Sequence, residues 1–301
     1  MPLDEPGDLG ALAAQVRRIH IRARRLAASS LAGDYRSVFR GSGIEFSEAR
    51  EYVPGDDIRL IDWNVTARTG TPWVKEYVEE RELPVVCAVD VSASMQAAHP
   101  ALGRLGVAAE LTALLGLSAA YHNDRAALLL FNAGIERFVP PRRGTRHALR
   151  LVRELLGFED PPRRARGSDL GGACDYLARV LGRRSVVFLI TDGFVTGFEA
   201  SLRALARRHE VIALTLIDRH DLALPDLGLV DLEDAESGER VLVDSGDPEA
   251  RRLYAAAAQQ RATGRREAFR AAGVDELELP LDGDYVQPLL AYFRQRATAR
   301  R

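Results

Sequence analysis

Cysteine is scarce: two residues in a chain of 301. Cys87 and Cys174 both lie in apolar segments and make neither a metal-ligand spacing nor a redox pair, so they read as buried free thiols of a reducing compartment. Long apolar runs are also missing, and the first residues lack the basic-then-apolar layout of a secretion signal. The expectation is a cytoplasmic protein with no direct membrane span, able at most to attach to a membrane-bound partner. Neither sign of charge dominates, with 41 Lys and Arg against 43 Asp and Glu, which gives no global reason to expect nucleic acid or an acidic membrane as partner. A phosphate loop ending in Gly-Lys-Ser/Thr is absent, so any ATPase activity belongs to a partner. Gly41-Ser42-Gly43 lacks the third glycine and the preceding buried strand of a dinucleotide site. His209-Glu210 opens like a zinc-protease motif, but the second histidine is missing.

What is present suits a soluble globular protein: 47% apolar and 28% charged residues, at a length that supports a substantial core. A basic amphipathic helix is expected over 12–31, either packed on its own domain or docked on an acidic partner. Residues 33–82 differ in character, rich in Gly, Asp, Glu and Arg and holding both tryptophans. There, Asp56, Asp57, Arg59, Asp62 and Arg68 crowd charges of both signs around Trp63, as an internally paired network or as the rim of a partner surface around an aromatic anchor. Lys75 to Glu82 leads in as an extended segment.

From residue 84 the pattern becomes regular. Short apolar runs at 84–90, 125–131, 185–190 and 210–217 alternate with helical segments at 102–121, 145–156 (capped by Thr145), 170–181, 197–208 and 247–271. Ile135–Val139 pairs in a hairpin with its predecessor and is stopped by Pro140-Pro141. Leu229–Val243 is a small β-hairpin with Glu236-Ser-Gly-Glu at its tip, and Glu276–Leu279 and Tyr285–Gln295 close the chain as strand and helix. This alternation predicts an α/β fold, a doubly wound, mostly parallel sheet covered on both faces. Two parts follow: an N-terminal helical and extended segment, 1–82, and a main domain, 83–301, with the hairpin as an addition.

Two of the buried runs end alike. Val85 to Val89 leads into Asp90-x-Ser92-x-Ser94, and Val186 to Ile190 leads into Thr191-Asp192-Gly193. Ser168, in Gly167-Ser168-Asp169, stands just before a helix. Loops at the carboxyl ends of parallel strands converge, so Asp90, Ser92, Ser94, Ser168 and Asp192 can surround one hard cation, Mg2+ or Mn2+, with oxygen ligands only. The bland alternative is that Asp90 or Ser92 merely caps the next helix.

These motifs resemble the metal-ion-dependent adhesion site of von Willebrand factor A domains over roughly 83–218. In that family the third loop usually supplies threonine, where this chain has Ser168. The preceding stretches Arg36–Phe46, Arg50–Arg59, Ile61–Arg68 and Glu79–Leu83 resemble the bacterial domain-of-unknown-function 58 family. The resemblance implies a non-enzymatic docking module whose metal accepts an acidic partner residue. It also implies an adaptor or co-chaperone role beside a MoxR-type AAA+ ATPase, with membrane-bound von Willebrand factor A proteins as further partners. Two other readings compete: a metal-dependent hydrolase or phosphotransferase using the same Asp and Ser cluster, and a scaffold with an empty site.

Overall fold

A computed structural model describes residues 14–21, 23–24, 45–78, 84–96, 103–158 and 167–299. Residues 1–10, most of Arg36–Phe46, Gly41–Gly43, Glu79–Leu83, His99 and the Pro161-Pro162 loop lie outside the described residues. Two compact units are present, Phe39–Leu83 and a larger one that joins Pro84–Arg301 to the N-terminal residues. The helical residues 14–21 belong with the larger unit, where Ile19 and Ala23 are buried.

In the smaller unit β1 (Glu45–Glu51) pairs antiparallel with β2 (Trp73–Val78), and the connection carries a 3-10 turn, Ile58–Leu60, and α1 (Trp63–Thr69). Its acidic residues explain why these short elements form. Asp57 accepts from Arg59 N at the turn, and Asp62 accepts from Asn64 N and Val65 N at the start of α1, satisfying donors that a short helix leaves unpaired. Gly70, at φ 76°, ends α1 in the left-handed region.

The larger unit runs β3 (Val85–Asp90), α2 (Ala93–Gln96), α3 (Gly103–Tyr121), β4 (Ala126–Phe131), β5 (Ile135–Arg142), α4 (Thr145–Leu156), α5 (Leu170–Val180) and β6 (Val186–Thr191). It continues with α6 (Glu199–Ala206), β7 (Glu210–Ile217), α7 (Arg219–Leu222), β8 (Leu229–Glu233), β9 (Arg240–Asp244), α8 (Pro248–Ala271), β10 (Asp275–Pro280) and α9 (Val286–Ala299). Six strands form one sheet in the order β10-β7-β6-β3-β4-β5, parallel throughout except for the antiparallel edge strand β5. β8 and β9 form a separate antiparallel hairpin.

β3, β4 and β6 are buried along their whole lengths, which is why they read as continuous apolar runs rather than alternating ones. One sheet face packs Val86, Ala88, Leu129 and Leu189 against Leu170, Cys174 and Leu177 of α5, Leu202 and Leu205 of α6, and Phe269 of α8. On the other face, Phe188 meets Phe293 of α9 edge-on at 6.3 Å, and Cys87 and Thr112 of α3 are both fully buried. α3 is buried almost all round, as a helix without a polar face must be. Both cysteines are free, and burial pushes each thiol up to about 12.

Two local expectations are corrected. β5 continues through Pro140 and Pro141 to Arg142, because an edge strand has a side on which a missing N–H costs no ladder bond. Thr145 is the first residue of α4 rather than its cap; Gly144 stands at the cap position and makes no side-chain bond.

The exit from β6 depends on Gly193. Its φ is 82°, and a Cβ there would lie 2.6 Å from Arg265 Cδ and 3.1 Å from Thr215 Cγ2. Arg265 cannot easily yield, since it is itself buried and bonds Glu276 at 2.6 Å and Glu278 at 2.5 Å. Gly193→Ala should therefore destabilise the protein by about 1–3 kcal/mol. Gly134→Ala, where a Cβ meets nothing within 4 Å, should stay within about 0.5 kcal/mol. Chemical denaturation of both variants measures the difference, and equal midpoints would refute this role for Gly193.

Candidate functional site

Strand order reverses at β3: β4 lies on one side of it, and β6 with β7 on the other. The crevice outside the carboxyl ends of β3 and β6 is therefore the switch point at which a doubly wound sheet leaves room for a ligand. Asp90 ends β3, while Thr191 and Asp192 end β6, and Val89 pairs with Ile190 in parallel register. Register thus brings together two carboxylates about a hundred residues apart in sequence.

Asp90 is fully buried, and three hydrogen bonds hold it. Oδ1 accepts from Ser92 N at 2.9 Å, and Oδ2 accepts from Ser168 Oγ at 2.6 Å and Thr191 Oγ1 at 3.1 Å. Ser92 Oγ and Ser94 Oγ stand 3.2 Å apart. Asp192, only 3% exposed, accepts from Phe194 N through Oδ1, while its buried Oδ2 has no hydrogen-bond partner. The nearby Ser94 hydroxyl opposes, without overcoming, the burial that raises the Asp192 pKa. The five residues expected to form one site, Asp90, Ser92, Ser94, Ser168 and Asp192, thus meet at these strand ends.

The electrostatics are unfavourable for two bare carboxylates. Burial, and then the Asp192 charge, push the Asp90 pKa up to about 6 against the pull of its hydrogen bonds. Burial also raises Asp192, opposed by Ser94, Phe194 N and Arg104. An oxygen-only donor set, a like-charge pair and an orphaned buried carboxylate oxygen fit a hard cation such as Mg2+. Among the described residues no three His, Cys, Asp or Glu side chains converge to hold a metal by themselves, so a cation here would need the hydroxyls as further ligands.

Several participants are not apparent in the chain order. Arg104, at the start of α3, is 8% exposed; it donates to Ser94 O at 3.0 Å and to both oxygens of Asp221 at 2.6 Å. Burial opposes its charge, but the Asp221 pair outweighs that and raises its pKa. A lone arginine opening an otherwise apolar helix is the signal that could have found it. Glu236, at the β8–β9 tip, accepts from Ser94 N at 2.9 Å and from Gly167 N. Sequence spacing gives no hint of that contact, which spans 142 residues. Just after Asp192, a groove of about 600 Å³ runs between the 193–199 segment and α8, with Phe194 and Arg261 in its lining.

In the smaller unit Asp56 forms a two-pronged pair with Arg50 at 2.7 Å, and that pair and Val53 N hold its pKa down to about 2. Together with the caps at Asp57 and Asp62, the acidic members of this cluster serve local structure. Arg59, Arg68 and Trp63 are exposed, Trp63 at 69%.

A family model described as "Protein of unknown function DUF58" matches residues 48–264. An uncharacterized protein of Mycobacterium tuberculosis is 33% identical over 295 residues, covering 98% of this chain and 91% of that one. Among solved structures, an aerotolerance-related membrane protein from Bacteroides fragilis, crystallised with multiple mutations to serine, is 17% identical with a TM-score of 0.49 over 72% of this chain and 99% of its own. The SpRpn10 VWA domain is 12% identical with a TM-score of 0.37 over 69% of this chain and 94% of its own. In this chain no helix among the described residues is long and apolar enough to cross a membrane. The match over most of the chain and the near full-length relative establish that this protein belongs to the DUF58 family.

Proposed function

We propose that the protein is a docking module in which a divalent cation, held by Asp90, Asp192 and the hydroxyls of Ser92, Ser94 and Ser168, receives an acidic residue of a partner. The observation that carries this reading is Asp192 Oδ2, a buried carboxylate oxygen with no hydrogen-bond partner beside a second buried carboxylate. An isolated buried charge costs several kcal/mol, and such a pair persists where a cation offsets it. Mg2+ would supply charge neutralisation and an open coordination position. The protein's own residues fix the geometry: Thr191 and Ser92 N hold Asp90, Phe194 N orients Asp192, and Arg104 tethers the Ser94 loop through Ser94 O. The family resemblance supports an AAA+ ATPase of the MoxR type as partner and an adaptor role in protein maturation.

Mg2+ at about a hundredfold its dissociation constant should stabilise the wild type by about 2.7 kcal/mol. Asp90→Ala should abolish that response, and undiminished metal affinity in this variant would remove the site. Asp192→Asn should lose the Mg2+ response too. In EDTA it should melt no lower than the wild type, because the substitution deletes a buried like charge while sparing the Phe194 bond; a lower melting temperature there contradicts the like-charge account.

Pull-down of the partner ATPase should be EDTA-sensitive, and retention of the complex in EDTA would sink the metal-bridged mechanism. Trp63→Ala in the smaller unit should weaken that complex at unchanged melting temperature if its exposed face contacts the partner; unchanged binding assigns the face no part in docking.

A further inference from the structure

The β8–β9 hairpin is fastened at both ends and little supported between them. At its base Ser245 is fully buried: its N–H and its hydroxyl both donate to Gly228 O at 2.7 Å, and Arg251 Nη1 donates to Ser245 O at 2.5 Å. Along the strands Leu229, Val241 and Leu242 are 60–70% exposed, while Val230, Leu232 and Val243 are half-buried, so the arms are covered only in part and on one face. A two-stranded hairpin with one solvated face and one partly covered face is marginal on its own. The tip is built for one purpose. Asp234 Oδ1 accepts from Glu236 N at 2.9 Å and Ser237 N at 2.6 Å, and Gly238 N closes the turn onto Asp234 O at 2.7 Å. This turn presents Glu236, whose Oε1 accepts from Ser94 N at 2.9 Å and whose Oε2 accepts from Gly167 N.

Ser94 and Gly167 belong to the two loops that carry the site hydroxyls Ser92, Ser94 and Ser168. Two converging backbone N–H groups make a seat for a carboxylate, and here the chain's own glutamate fills it. We propose that this seat is the carboxylate-binding position of the site, closed in cis by Glu236, and that an acidic side chain of a protein partner must displace the hairpin to dock. The proposal rests on the docking reading for its partner, but the seat and the strap stand on hydrogen bonds that require no cation. The two loops, otherwise separate in sequence, are bridged by the one carboxylate, so release of Glu236 frees both of them.

The test uses the full chain, wild type and Glu236→Ala, with Glu236→Gln as a conservative variant that keeps one acceptor oxygen. Amide hydrogen exchange in EDTA reads the strap alone: residues 229–244 and the amides of Ser94 and Gly167 should exchange faster in Glu236→Ala, with Glu236→Gln between. Identical exchange in wild type and Glu236→Ala overturns the strap whatever the metal does. In Mg2+, a fluorescent Gly-Ser peptide carrying a single glutamate should bind Glu236→Ala roughly tenfold or more tightly than wild type, the gain expected when a competing internal ligand is removed. Equal affinity for the two chains overturns the claim that Glu236 holds the seat. A faster-exchanging hairpin with peptide binding indifferent to Mg2+ and to Asp90→Ala would keep the seat and discard the metal.

Discussion

The site depends on the conflict between Asp90 and Asp192, two carboxylates almost entirely removed from water at the ends of neighbouring strands. Parallel register between β3 and β6 makes their proximity unavoidable once the sheet forms. Three hydrogen bonds keep Asp90 in place, yet burial and its neighbour still raise its pKa to about 6. A protein gains nothing in stability from such a pair, since apolar residues of similar volume would pack as well at lower cost. Retaining it makes physical sense only where the charge is used.

The surrounding structure supplies partial compensation and stops short of neutrality. Arg104 is the buried cation tied into the site, and Asp221 engages its guanidinium with both oxygens while Ser94 O takes another donor. Asp192 feels Arg104 only through space, and Asp221 pushes the other way. The field of the two carboxylates is therefore left without a directly paired cation among the described residues. The same field that disfavours a bare carboxylate pair favours a cation, and it makes two fixed hydroxyl-bearing loops worth positioning around the pair.

Much of this was legible in the sequence because strand-end chemistry is local. Asp-x-Ser-x-Ser after a buried run, and Thr-Asp-Gly after another, place side chains by backbone geometry alone, and sheet topology then supplies the convergence. Local reasoning failed where the environment sets the rule. Pro140 and Pro141 end a strand only if both of its sides are paired, and the edge position of β5 is a tertiary fact. The Asp56 to Arg68 cluster reads either as an internally paired network or as a partner rim; its carboxylates bond within six residues of themselves, as the first reading expects, while Arg59, Trp63 and Arg68 stand exposed. Glu236 reads as a hairpin tip, and nothing in its sequence neighbours indicates that the tip reaches the crevice.

That reach changes how a docking site of this kind would select. Glu236 brings a third carboxylate to the loops around Asp90 and Asp192, where two backbone N–H groups receive it. A cation bound between the aspartates would make the seat more attractive to any carboxylate, Glu236 included. Metal alone would then tighten the strap rather than open the site, because an internal ligand competes at the high effective concentration set by its short tether. A partner prevails over such a ligand only by bringing contacts beyond its acidic residue. The groove lined by Phe194 and Arg261 lies beside Asp192, where those contacts would fall. On the docking reading, a site closed in this way would reject free carboxylates and isolated acidic side chains, and would answer to a partner whose shape extends past the cation.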